Sequence, residues 1–411
     1  MSKDISRPKT GMGMPLGRWF GSIAPGVITA ALVFGPGKVT ILCKMGADYG
    51  NALIWIIFVV TFFMAVFTTM GARIGLAAEH SFLFTVREKW GRGVTVATGT
   101  GVFLVCAAFQ TGNSVGVGIS LGELLGVGST PVIILVNLLA ISFLFVSGLY
   151  RSLQKLMITL VIIILFAFLV TMILSRPEAG AVLSGIVPSI PGGSVGLVIS
   201  FVASSFSVVG ACYQSYLVQE RRRMSPDAKL SSRDPITGIV ILGVMALIVM
   251  ICSAFVLHPH GLKVNSGTDM ARALEPLFGR YASAIFLSGL FAASLSAMVG
   301  NATLGGTLFA DALGAGGQLN SKTVRILIAV IMIIGASLAI AFGRLPIQLL
   351  ILAQTVTILI VPFIGLAMFL IANDRAVMGR FVNSTTERNL SGLGLLLLFI
   401  LAIQSFFTIF V

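Results

Sequence analysis

The chain has 411 residues, of which 57% are hydrophobic and only 10% are charged, and its mean hydropathy is +1.04. This composition excludes a water-soluble domain, and recurring apolar stretches of about 20 residues or more exclude a single-span or monotopic membrane protein. The net charge of +13 would favour nucleic acid as a partner of a soluble protein, but in a membrane protein it reflects the Lys and Arg of cytoplasmic loops, so no nucleic acid is expected.

The apolar stretches predict eleven helical spans in an all-α integral membrane protein. They cover approximately residues 21–46, 50–73, 93–121, 130–149, 153–175, 193–218, 236–257, 281–308, 323–342, 346–372 and 391–411. With the tail 1–20 in the cytoplasm, 20 of the 27 Lys and Arg lie on the cytoplasmic side, five lie outside and two lie within the first span. This asymmetry predicts a cytoplasmic N-terminus in a multi-pass cell-membrane protein, with the lipid bilayer as a partner and a bacterial inner membrane as the expected location.

The first span is interrupted by Gly35-Pro36-Gly37, because Pro36 has no amide hydrogen and the two glycines relax the backbone. Lys38 follows directly, and a charge inside the membrane costs at least about 3 kcal/mol, which makes it a functional candidate by default. The free amides that begin the second half-helix, from Lys38 to Thr40, suit an anion such as a carboxylate. Lys38 is interpreted as an anchor for an anionic substrate, an amine that exchanges a proton, or a tethered charge that replaces a bound cation. A structural lysine that binds frayed carbonyls is the alternative.

Two further polar features precede the sixth span. The segment from Glu79 to Gly91 mixes aromatic and charged residues and is predicted to lie at the cytoplasmic interface. In the third span, Gln110 and Asn113 lie at the depth of the break, and with Lys38 and Tyr213 they are candidates for a proton or polar route.

Gly210 is a milder break in the sixth span. Corresponding breaks in spans one and six predict a five-plus-five inverted repeat, residues 21–175 and 193–372, with 391–411 as an additional span. Substrate is then expected at the midplane, where unwound backbone lines a cavity. Alternatively, both glycine positions are packing kinks, which are common in membrane helices. The candidate binding residues are Gly35, Gly37, Lys38, Thr40, Gly210, Ala211, Cys212, Tyr213, Gln214 and, in the tenth span, Gln354.

The fourteen carboxylates all fall in the tail, in the connections or near span ends, so none reaches the predicted midplane. A divalent cation normally needs anionic oxygen or soft ligands to replace its water, so the sequence predicts no metal site of the usual kind. No cofactor is expected. No span carries an ATP-binding signature, and nothing in the sequence indicates an enzyme.

With these spans and breaks, the chain resembles the natural resistance-associated macrophage protein (Nramp) family of proton-coupled divalent-metal transporters over nearly its whole length. The local similarities are Ile23-Ala24-Pro25-Gly26, Asp48-Tyr49-Gly50 with Trp55, Met70 to Gly75, and Gln354 to Pro362. The resemblance implies a LeuT-like inverted repeat with eleven or twelve helices, of which helices 1 and 6 are interrupted. It also implies a cytoplasmic N-terminus and secondary active ion transport.

The chain departs from the family at the residues that carry the chemistry. The family's first broken helix reads Asp-Pro-Gly-Asn, where this chain has Gly35-Pro36-Gly37-Lys38, and the family's Met-Pro-His in span six corresponds to Ala211-Cys212-Tyr213. Acidic residues of the family's proton route fall near Gln110 and Asn113, so that only Gln354 resembles a retained site residue. Loss of aspartate, methionine and histidine together with gain of a lysine reverses the electrostatics of the site.

The sequence therefore predicts a secondary transporter that works by alternating access and carries a small anionic or zwitterionic solute, with a proton as the candidate coupling ion. The first alternative is a transporter of divalent metal ions (manganese, iron or magnesium) that uses backbone carbonyls, Cys212, Gln354 and a hydrated ion. The second alternative is a non-transporting sensor on the same scaffold.

Overall fold

The computed structural model describes residues 34–143, 149–224, 231–232, 235–318, 321–342 and 346–410, and within these ranges it contains helices and turns but no strand. The helices are α1 (Pro36–Tyr49), α2 (Ile54–Ala77), α3 (Phe82–Leu125), α4 (Ser129–Phe143), α5 (Leu149–Leu174), α6 (Ala179–Ser184), α7 (Val195–Ser205), α8 (Val208–Met224), α9 (Ile236–Val256), α10 (Gly267–Ala271), α11 (Glu275–Phe278), α12 (Ala282–Ala312), α13 (Lys322–Ala341), α14 (Pro346–Thr357), α15 (Val361–Ala372), α16 (Arg375–Met378) and α17 (Thr385–Phe410). Short 3-10 turns lie at His258–His260, Arg272–Leu274, Gly279–Tyr281 and Gly379–Phe381.

The predicted all-α membrane architecture is confirmed. Within the described ranges, eight helical stretches are long and apolar enough to cross a membrane. The shorter apolar helices Ser129–Ser142 and Val161–Leu174, together with α1, account for the remaining predicted spans. The first part of the first predicted span, residues 21–33, lies outside the described residues.

Helix α1 begins where the sequence predicts the first interruption. Gly35 caps it with extended backbone (φ −79°, ψ 172°), and Pro36 opens the first turn. Proline suits this position because its φ is already helical and its missing amide hydrogen would have had no partner there.

The second interruption lies earlier than predicted. Helix α7 ends at Ser205 and α8 begins at Val208, so that Gly210 is in the first turn of α8 rather than at the break. The chain turns at Ser207, whose φ of 48° lies in the left-handed region. A Cβ atom at Gly210 would lie only 2.4 Å from the Ser207 hydroxyl oxygen. The glycine therefore makes room for the turn instead of forming it.

The tenth span, predicted as one helix, is divided into α14 and α15. Between them the amides of Ile358, Leu359 and Ile360 each bond to a carbonyl only three residues back. Pro362 is in the first turn of α15 and cannot donate the hydrogen bond that would continue the helix from α14. Within the described residues, two spans are thus interrupted, and the helix of a third begins at its predicted break.

Helix α3 is bent at Gly91, which has a φ of 81°. Its first part buries Phe82, Leu83 and Val86 while Arg87 is exposed. This amphipathic pattern agrees with the interfacial position that the sequence predicts for the segment. The longer part of α3 packs against α12, where a Cβ atom at Gly305 would lie 2.6 Å from the Cβ of Cys106. Small residues thus let the two central helices approach closely.

Candidate functional site

A cavity of about 360 Å³ lies where the interrupted helices meet. Its wall is formed by the start of α1, the end of α7 and the first turns of α8, and it is completed by α3, α12, α14 and α15. Pockets that hold small molecules have volumes of about 300–1,000 Å³. The breaks therefore enclose enough space for a small solute.

Seven of the residues predicted for the binding site or the polar route line this cavity. They are Gly35, Gly37, Lys38, Asn113, Gly210, Tyr213 and Gln354. Residues far apart in the chain are thus brought together at one place, as expected if corresponding broken helices meet at the midplane.

Five other predicted residues are not part of the cavity wall. They are Thr40, Gln110, Ala211, Cys212 and Gln214. The helical period of α8 explains three of them. After its first two residues, Val208 and Val209, the residues of α8 that line the cavity recur three and four apart, at Gly210, Tyr213 and Leu217. The side chains of Ala211 and Cys212 are fully buried elsewhere in the packing.

Gln110 lies behind the cavity wall rather than on it. Its side chain is fully buried, and its Oε1 accepts a hydrogen bond from Asn113 Nδ2 at 3.4 Å. A Cβ atom at Gly335 would lie 2.5 Å from Gln110 Cγ, so α13 closes the space on the far side. Gln110 therefore supports the cavity-lining Asn113 from behind.

Lys38 is the cationic group of the cavity. The residue is only 8% exposed, and it has neither a salt bridge nor a side-chain hydrogen bond to any described residue. Next to it, the amides of Gly37 and Lys38 have no acceptor among the described residues, as is normal for the first turn of a helix. Side chain and helix end together form a positive pole.

Two carboxamide side chains lie beside the same helix end. A Cβ atom at Gly37 would lie 2.5 Å from Gln354 Nε2, and one at Gly35 would lie 3.5 Å from Asn113 Oδ1. The two glycines therefore let the amides approach the backbone of the break.

The described lining of the cavity contains no aspartate, glutamate, histidine or cysteine. Nor do the described residues contain any cluster of three such side chains that could hold a metal ion. A cation in this cavity would meet only neutral oxygens and the charge of Lys38, whereas an anion would meet that charge and free amide donors.

Four polar residues of the wall were not predicted from the sequence: Ser204, Ser207, Asn301 and Thr303. Asn301 belongs to a small-residue stretch of α12, and its Nδ2 donates to the Cys106 carbonyl at 2.7 Å. The sequence could have indicated Asn301, because a carboxamide side chain among the small residues of a membrane span is a candidate for a polar contact. The serines were visible too, as the polar run Ser204-Ser205-Phe206-Ser207 in an apolar span.

A polar chain leads away from the cavity along α8. The rings of Tyr213 and Tyr216 are stacked with centroids 6.3 Å apart. Tyr216 donates a hydrogen bond to Asp311 Oδ2 at 2.5 Å, and Ser81 donates to the same oxygen at 2.6 Å. This chain includes the predicted Tyr213 but neither Gln110 nor Asn113.

Comparison with known proteins gives one family. The profile of the family described as natural resistance-associated macrophage protein-like (Nramp) matches residues 26–408. Among curated proteins, the chain is 25% identical to the divalent metal cation transporter MntH of Deinococcus radiodurans over 388 residues, which cover 90% of this chain and 85% of that protein.

Solved structures show the same fold. A mutant of the manganese transporter of Eremococcus coleocola superposes with a TM-score of 0.74 at 18% identity, covering 98% of this chain and 88% of the transporter. Mhp1, a nucleobase-cation-symport-1 family transporter, superposes with a TM-score of 0.61 at 12% identity, covering 93% of this chain and 91% of Mhp1. The predicted LeuT-like fold is thereby confirmed. Helix 6 is interrupted between α7 and α8, whereas the segment before the predicted break of helix 1 lies outside the described residues.

Proposed function

Because the chain belongs to the Nramp family of membrane transporters, we propose that it carries its cargo by alternating access, with the cargo held in the cavity between α1, α8 and α14. The start of α1 and both interrupted spans line this cavity, which supports the role. Unwound backbone at membrane depth is tolerated only where protein or a water-filled cavity satisfies it. The cargo would cross chemically unchanged.

Repeat boundaries and orientation are part of the same proposal. We assign residues 21–175 and 193–372 to the two repeats and 391–411 to the additional span, with the N-terminus in the cytoplasm of a bacterial cell. The excess of Lys and Arg on one side supports this orientation.

For the cargo we propose a small anionic or zwitterionic solute. Lys38 carries this proposal, because it is a buried cation in the cavity wall with no ionic partner among the described residues. A buried charge without a counter-charge is costly, and an anionic cargo would supply that counter-charge.

A divalent metal ion is the second candidate. The names of the relatives favour it, and they support a metal cargo more directly than they support any anion. Against it stands the lining of the cavity, which offers a metal only carbonyl, hydroxyl and amide oxygens among its described residues. Cys212, which the metal alternative invokes, is buried outside that lining.

Transport assays in proteoliposomes separate the two candidates. Wild type, Lys38→Ala and the matched control Lys44→Ala are compared for uptake of a carboxylate and of manganese, with and without a proton gradient. Lys44 is on the same helix but pairs with Asp48 at 2.9 Å and is not part of the cavity wall. We expect saturable carboxylate uptake that is lost in Lys38→Ala and kept in Lys44→Ala.

Saturable manganese uptake that survives Lys38→Ala would overturn the anionic cargo and favour the metal. Flux of any solute by the purified protein alone would rule out the sensor alternative, which requires no transport. A gain in carboxylate uptake when the gradient is imposed would support the proton as coupling ion.

A further inference from the structure

The cavity lining combines a charged polar end at the start of α1 with a wall that carries no charge and contains many apolar residues. The polar end consists of Lys38, the amides of Gly37 and Lys38, which have no acceptor in the part of the chain that the structure describes, and the side-chain amide of Gln354. The remaining wall carries no charge, and α3, α8 and α12 contribute the large apolar residues Phe109, Val209, Leu217 and Leu304 to it. Its other polar side chains are uncharged: Asn113, Ser204, Ser207, Asn301 and Thr303. A solute that fills this space must match both parts.

The polar end suits a single negative charge. Lys38 is 92% buried by residue area, so its ammonium has little access to water, and the described lining adds no second cation. One carboxylate would accept hydrogen bonds from the ammonium and the helix amides. The second carboxylate of a diacid would be taken from water without a partner.

The same wall offers a positive charge only neutral oxygens among its described residues. The described lining contains no carboxylate, so an ammonium group on the solute would lose its water and also lie near Lys38. An apolar chain, by contrast, gains about 25 cal/mol for each square ångström that it removes from water.

From this division we infer that the cargo is a monocarboxylate with an apolar body, bound with its carboxylate at Lys38 and the start of α1. The inference rests on the proposed function and narrows it, because it excludes zwitterions, dicarboxylates and inorganic anions from the preferred cargo.

The test compares the binding of organic ligands that all have the same number of carbon atoms, together with two inorganic ions. Isothermal titration of the purified full-length protein is carried out with 4-methylpentanoate, its neutral amide 4-methylpentanamide, the zwitterion leucine and the dicarboxylate adipate, and with chloride and manganese ions. We expect 4-methylpentanoate to bind most tightly. The neutral amide should bind about ten- to hundredfold more weakly, as expected for the loss of hydrogen bonds between charged groups.

Two variants check both ends of the cavity. Lys38→Met should remove the preference for 4-methylpentanoate over its amide, and Lys44→Met is the control that should keep it. Val209→Thr changes the apolar wall with almost no change in shape and should weaken 4-methylpentanoate without abolishing the preference over its amide. If Lys38→Met fails to fold, the ligand series on the wild type still decides the question.

Each remaining outcome counts against the inference. Tightest binding of leucine, adipate or chloride would overturn it and leave an anionic or zwitterionic cargo standing. Binding of manganese alone would overturn both the inference and that cargo. Failure of all six probes to bind would overturn the inference as well.

Discussion

The contact between Gly37 and Gln354 connects backbone conformation to the site. A side chain at position 37 would occupy the space of the Gln354 amide, since its Cβ would lie 2.5 Å from Nε2 and 2.9 Å from Cδ. The atoms in the way belong to the flexible end of the Gln354 side chain and not to backbone, so this side chain can move aside without a change in the fold. The glycine is therefore needed for the position of the amide more than for the stability of the helix.

We predict that Gly37→Ala weakens cargo affinity by about two- to tenfold, the worth of one hydrogen bond, while the melting temperature changes little. Transport kinetics and thermal unfolding of the same preparations measure both. In a Gln354→Ala background, Gly37→Ala should have no further effect on affinity, because the displaced amide is already absent. Additive losses in the double variant would contradict this explanation.

The sequence predicts those features of the site that single residues determine, and it does not predict those that depend on the surrounding structure. The helix start at Pro36 and the place of Lys38 in the cavity wall follow from local causes, because a missing amide hydrogen and a membrane-buried charge are properties of the residues themselves. The turn at Ser207 could not be predicted from the sequence, because a serine adopts a positive φ only when its surroundings require it. Misplacing that turn by three residues also put Ala211 and Cys212 on the wrong side of α8.

At the scale of elements, α2 and α8 pack through two close backbone contacts. A Cβ atom at Gly71 would lie 1.9 Å from the Ala211 carbonyl oxygen, and one at Gly75 would lie 2.4 Å from the Ser215 carbonyl oxygen. Both pairs are four residues apart on their helices, which is the spacing of the small-residue motif of membrane helix pairs. The half-helix α8 is thus fixed against α2 along one stripe.

We predict that Gly71→Ala destabilises the protein by about 1–3 kcal/mol, because backbone atoms cannot move aside as a flexible side chain can. Thermal unfolding in detergent should show a clear fall in melting temperature. Gly93→Ala is the control, since a Cβ atom there has no neighbour within 4 Å. An equal melting temperature for the two variants would show that α2 and α8 can separate without cost.

At the scale of the whole molecule, polar contacts hold the bundle together at both ends of α3. At the N-terminal end, Asp311 of α12 accepts hydrogen bonds from Ser81 and from Tyr216 of α8. At the C-terminal end, Glu123 accepts hydrogen bonds from the amides of Gly267 and Thr268, at 3.1 and 2.8 Å. Alternating access requires that the contacts at one end loosen while those at the other end persist.

We predict that Asp311→Asn raises the accessibility of the cavity from the N-terminal end of α3, because hydrogen bonds to a charged group are lost. Such a loss shifts an equilibrium by about tenfold. Thiol labelling of Ser204→Cys in vesicles of both orientations measures it, since the four native cysteines are buried. Glu123→Gln should raise labelling from the opposite side. Equal labelling from both sides in either variant would contradict separate control of the two ends.

The buried Lys38 has a consequence for energetics as well as for recognition. A lysine ammonium in the bundle interior is exposed to the electric field across the membrane, which acts on a unit charge with about 2.3 kcal/mol per 100 mV when the whole field is crossed. A bound monocarboxylate would neutralise this charge. Without a co-transported proton, the membrane voltage would then leave the loaded carrier almost unaffected and would act on the return of the empty carrier. In that case a polarised cell would control the rate of turnover through the step in which no cargo is carried.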